Sequence, residues 1–96
     1  MLPIVWSEDA IQDYHQNIDF ILSRWSKETA KRFIEEVELI LSLIQEHPQL
    51  YPKVNFKNVR KAVIRKQVSL FYLAQEDQIT LVRFWNNFQD QENLDL

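Results

Sequence analysis

The chain contains no cysteine and no glycine. The first absence excludes a disulfide framework, a thiolate nucleophile and any cysteine-based zinc site. It fits a reducing compartment, and a cytoplasmic protein is expected. The second absence excludes the glycine-rich phosphate loops of either common kind. No apolar run approaches the roughly 18 residues of a spanning helix, so no membrane role is expected. The opening stretch MLPIVWSEDA has neither a basic region nor a long apolar core, so a secretory leader is not expected either. Histidine is scarce: His15 and His47 stand 32 positions apart with no ligand or nucleophile spacing and read as surface residues. Glu35, Glu36 and Glu38 read as a solvated helix face rather than a metal site. No metal and no cofactor are expected.

What is present is aromatic and segregated in charge. The 96 residues imply a single domain, 1–96. Six Phe, three Trp and three Tyr are a heavy load for that volume, and part of that surface is available for a partner. The net charge of −3 conceals a basic segment. Residues 53–66, KVNFKNVRKAVIRK, carry Lys53, Lys57, Arg60, Lys61, Arg65 and Lys66 and no acid. Such an element attracts a polyanion or an acidic partner, or else protects a strand edge from aggregation.

The order of elements follows from periodicity and caps. LPIVW at residues 2–6 reads as a strand. Ser7 then caps a helix with Glu8 and Asp9 in its first turn, and Ile11, Tyr14, Ile18, Ile21, Leu22 and Trp25 give it an apolar stripe. Ser26 caps a second helix, striped by Ala30, Phe33, Ile34, Val37, Ile40, Leu41 and Ile44 and stopped at Pro48. The two helices are joined almost directly, as an antiparallel hairpin. Residues 48–58 read as a loop. Strands at Val59–Ile64, Val68–Leu73 and Ile79–Trp85 follow, separated by hairpin-length connectors. The fold class is α+β: an N-terminal strand, a helical hairpin and a three-stranded antiparallel meander (β-α-α-β-β-β), with the helices on one sheet face. Residues after Trp85 read as a short tail or a final helical turn.

Strict alternation in the last strand puts Thr80, Val82 and Phe84 on one face and Ile79, Leu81, Arg83 and Trp85 on the other. Arg60, Lys61, Arg65, Lys66 and Arg83 are the candidate cations for binding. Alternation separates Arg60 from Lys61, so all of them do not serve one site. Arg83, between apolar neighbours, also reads as an ion-pair partner for a residue such as Asp90. Trp85, Asn86 and Asn87 are suited to stack on and hydrogen-bond a ligand, or to form a turn that fixes the tail.

The element order, VWSEDAIQDYHQNIDFILSRWS at the start, VRKAVIRKQVSLFYLAQEDQITLVRFW in the sheet and NNFQDQENL at the end together resemble the RelE/ParE superfamily. These are the toxins of bacterial type II toxin–antitoxin modules, also called plasmid-stabilisation proteins. The resemblance covers essentially the whole chain. It implies a small antiparallel sheet under a helical hairpin. It implies growth inhibition, either by cutting mRNA in the ribosome or by poisoning DNA gyrase, and a cognate antitoxin as partner, with a homodimer within the complex left open. Ribonuclease members present basic residues on the sheet, often with a terminal Tyr or His. Here Ser69 stands where such members carry Arg, and no Lys, Arg, His or Tyr follows Trp85. The chain therefore resembles the gyrase-directed branch more, acting by binding. The alternative is a metal-independent endoribonuclease using Lys61, Arg65, Arg83 and Tyr72. A third reading is a degenerate toxin that only binds antitoxin, since Phe88 and Gln91 replace the Arg and Pro usual in related termini.

Overall fold

A computed structural model describes residues 1–54, 58–66 and 68–86 of the chain. Seven elements follow in order: β1 (Ile4–Trp6), α1 (Glu8–Arg24), α2 (Lys27–Glu46), β2 (Lys53–Val54), β3 (Val59–Arg65), β4 (Val68–Ala74) and β5 (Ile79–Asn86). The α+β architecture expected from the sequence is the one observed. Ser7 accepts from the Ala10 N–H and Ser26 from the Thr29 N–H, so both caps act where they were read.

The sheet order is β1-β5-β4-β3-β2. The meander pairs antiparallel, whereas β1 lies parallel to β5, with Ile4 opposite Ile79 and Trp6 opposite Leu81. One short strand was missed: Lys53–Val54, inside the segment read as loop, pairs with Val59 and Arg60. Two residues carry too little periodicity to announce a strand. Asn58, at the turn between β2 and β3, has φ 61°. In a chain without glycine, Asn is the residue type that enters this region most cheaply.

The helices cover one sheet face. Phe33, Val37 and Ile44 of α2 meet Leu70, Tyr72 and Leu81 in the main core. Truncating a fully buried aromatic such as Phe33 to Ala costs about 3–5 kcal/mol. A second, smaller cluster of Val59, Phe71 and Trp85, flanked by Val54, Leu73 and Val82, lies on the opposite, open face.

Two readings of faces are corrected. In α1 the buried positions are Ala10, Asp13, Asn17 and Ile21, while Ile11, Leu22 and Trp25 are exposed. The helix turns a partly polar stripe to the sheet. In β5 alternation fails, because the register with β4 shifts between Phe71 and Tyr72, which face Arg83 and Leu81. This β-bulge adds one residue and changes the phase of the strand. Ile79, Leu81 and Phe84 therefore join the main core, while Trp85 joins the open-face cluster.

Candidate functional site on the open sheet face

The bulge and the shortness of β1 have a common consequence. β1 pairs with β5 only as far as Leu81, so the next residues of β5 have no strand beside them on that edge. Side chains of α1 and its cap take the place of the strand. The Ser7 hydroxyl donates to the Val82 carbonyl (2.9 Å). Asp13 accepts from the Phe84 N–H (3.1 Å), and Asn17 donates toward the Phe84 carbonyl (3.4 Å). Buried backbone groups demand such partners, which explains polar residues on the helix face where apolar ones were expected.

Arg83 sits at the bulge. Its Nε and Nη2 donate to the two carboxylate oxygens of Asp13, at 2.6 and 2.9 Å. A two-point pairing of this kind fixes the plane of the guanidinium. The bond to Asp13 also pushes the Arg83 pKa further above its already high ordinary value. The ion-pair partner is thus Asp13, from the first helix; Asp90 lies outside the described residues. On its other side the Arg83 guanidinium lies over the Trp85 ring, 5.0 Å from the centroid. Trp85 is buried, and its indole N–H has no hydrogen-bond partner among the described residues.

Lys61 shares this face. It stands opposite Phe71 in the β3–β4 register, with its ammonium 5.9 Å from the Phe71 ring centroid. Two cations over two aromatic rings, on a floor of Val59, Phe71 and Trp85, form the site. Ser69, opposite Trp85, is fully buried in the same sheet.

The other candidates lie elsewhere. Arg60 donates to the carbonyls of Tyr51 (2.7 Å) and Gln49 (3.3 Å), which pins the segment after α2. Arg65 pairs with Glu36 of α2, its Nε 2.8 Å from the carboxylate, and lies over Phe33. Glu36 is therefore more than a solvated helix residue. Tyr72 is fully buried on the helix side, and its hydroxyl donates to the Pro48 carbonyl (2.9 Å). Burial pushes its phenol above the usual value. A substrate on the open face does not meet that hydroxyl. Lys66 is exposed in the turn after β3. Asn86 ends β5, and Asn87 lies outside the described residues.

Asn86 also lines a groove of about 270 Å³ with Asn17, Phe20, Ile21, Trp25 and Val68 at the far end of α1. Among the described residues no three His, Cys, Asp or Glu side chains are grouped to hold a metal ion. No helix there is long and apolar enough to cross a membrane. Sequence reasoning missed Asp13 and Asn17. Their signal was two polar residues four apart on one helix face, the face that also carries Ala10 and Ile21.

Comparison with known proteins gives a consistent result. The model of the family described as ParE toxin of type II toxin-antitoxin system, parDE, matches residues 4–90. No curated protein matches in sequence. Among solved structures, the chromosomal ParDE system from P. aeruginosa is similar, with a TM-score of 0.75 at 16% identity, over 90% of this chain and 96% of that one. The YoeB dimer from Staphylococcus aureus has a TM-score of 0.65 at 18% identity, over 88% and 94%. The E. coli DinJ-YafQ complex has a TM-score of 0.62 at 12% identity, over 92% and 96%. At these identities the likeness is one of fold.

Proposed function

Because this chain belongs to the ParE toxin family of type II toxin–antitoxin systems, we propose that its open sheet face is the surface it presents to a cellular target and that its antitoxin covers. The protein is the toxin of a RelE/ParE-like module, and a cognate antitoxin is its partner. The observation that carries the proposal is the pair of cations, Lys61 and Arg83, each set over an aromatic ring on one apolar floor. Such a surface suits an extended acidic segment with apolar side chains. Its carboxylates meet Lys61 and the remaining edge of the Arg83 guanidinium, and its apolar groups pack on the half-buried Val54, Leu73 and Val82 that flank the buried floor.

Binding is favoured over catalysis as the mode of action, and DNA gyrase is the target proposed. Cleavage of RNA at a ribose 2′-OH needs a base, an acid and cations for the phosphate. The open face supplies two cations. Tyr72, the phenol among the residues offered for that alternative, is turned into the core and bonded to Pro48. Arg65 is paired with Glu36, as Arg83 is with Asp13, so a carboxylate already meets each of these two charges.

Tightly controlled expression of the chain alone, with and without its antitoxin, tests the reading. Growth arrest relieved by the antitoxin is expected, together with inhibition of gyrase supercoiling by the purified protein. Lys61→Glu should weaken both antitoxin binding and inhibition by about tenfold, roughly 1.4 kcal/mol. Cleavage of ribosome-bound mRNA by the purified toxin would overturn the binding mode. Folded protein that arrests nothing but still binds antitoxin would leave the degenerate toxin as the reading.

A further inference from the structure

We infer that Asp13 is a positioning residue of the open face: acting from α1, it sets how the Arg83 guanidinium lies over Trp85 and so where that face presents its charge. The inference rests on the open face being the binding surface.

Three observations converge. Asp13 is only 8% exposed, on the stripe of α1 that faces the sheet. Both of its carboxylate oxygens are engaged. Oδ2 accepts from Arg83 Nε and from the Phe84 N–H, and Oδ1 accepts from Arg83 Nη2. The guanidinium so gripped is the one centred 5.0 Å from the Trp85 ring. Sealing the β5 edge does not by itself require an acid. The Phe84 N–H needs one acceptor, and an asparagine in this place has one. What uses the second oxygen and the negative charge is Arg83.

Stability is a poor account of the pair. Removing two charges from water is costly, and replacing a buried pair by uncharged side chains of similar size is often neutral. Orientation is a better one. A free arginine samples many rotamers, whereas a two-point grip on a fixed carboxylate leaves its remaining edge pointing one way. The β5 bulge places Arg83 within reach of α1 at one end and Trp85 at the other.

The test uses the whole toxin, its purified antitoxin, and a Trp6→Phe, Trp25→Phe background in which Trp85 alone fluoresces. Asp13→Asn keeps an acceptor for Phe84 and loses the charge. Its antitoxin affinity should fall at least tenfold, with a shift in Trp85 emission, while Asp13→Glu recovers part of both. Arg83→Gln should cost as much. The double variant Asp13→Asn, Arg83→Gln should be no worse than either single one, as expected for two residues acting as one unit. If Asp13→Asn does not fold, the double variant, which leaves no charge uncompensated, replaces it under the same criteria. Antitoxin affinity within twofold of wild type and unchanged Trp85 emission would overturn the inference. Lys61→Glu separates the two levels. If it weakens binding and Asp13→Asn does not, only the positioning role fails. If Lys61→Glu leaves binding unchanged, the open-face reading itself fails.

Discussion

Tyr72 shows how much one residue's role depends on which way it points. Its neighbours in VSLFYLA alternate between faces, so Phe71 joins the open floor and Tyr72 the main core. From the sequence it was one of four residues offered for an endoribonuclease site, with Lys61, Arg65 and Arg83. In the structure it is a buried aromatic whose hydroxyl satisfies the Pro48 carbonyl. Burial raises the phenol pKa of Tyr72 and of Tyr14 above the ordinary value of 10.0. The folded state therefore prefers the protonated phenols. That preference contributes fully below about pH 10 and is lost as pH rises through the higher folded-state values. Urea unfolding at pH 8 and pH 11 should show a loss of stability across that range. Tyr72→Phe should flatten part of it, at a cost of about 1 kcal/mol at pH 8 for the lost hydrogen bond. An equally steep profile in Tyr72→Phe would contradict this.

At the scale of elements, α1 serves as both a packing helix and an edge cover. The stop of β1 at Trp6 leaves β5 to be finished by Ser7, Asp13 and Asn17. Ser7 is the clearest case, since one hydroxyl both accepts from Ala10 and donates to Val82 across 75 residues. Ser7→Ala should therefore cost more than an ordinary cap, about 2 kcal/mol against about 1. A fall in thermal midpoint no larger than that of Ser26→Ala, whose cap is exposed, would argue against the double role. The buried stripe of α2 was legible because Phe33, Val37 and Ile44 pack into the apolar core, whereas the pairing of Glu36 with Arg65 was not. α1 was misread in part because its buried stripe answers backbone groups of β5, a strand about 70 positions away, and nothing local announces them.

For the molecule as a whole, the basic segment divides into two populations. Arg60 and Arg65 are turned toward the helix side, where they tie β3 to the segment after α2 and to Glu36. Lys61 belongs to the open face. Charge reversal at the arginines should thus act through the fold. Arg60→Glu with Arg65→Glu is expected to lower toxin stability by about 1–3 kcal/mol, since two carbonyls and one carboxylate lose their partner. Lys61→Glu should leave stability within about 0.5 kcal/mol while changing affinity. Thermal melts beside antitoxin titrations distinguish these, and a stable double variant with lost affinity would reverse the assignment.

The sequence by itself determined every element but the two-residue β2, together with their order, both helix caps and the α+β class, because these depend on spacing along a few turns and on short connectors. It also marked Lys61, Arg83 and Trp85 as residues to explain. Only the tertiary structure decided which faces they share. A single bulge at Phe71–Tyr72 shifts the phase of β5, and one residue of shift moves side chains to the other face of a sheet. The partner of Arg83 was likewise decided in three dimensions. Asp13 meets it only because a short parallel strand leaves an edge that α1 must close.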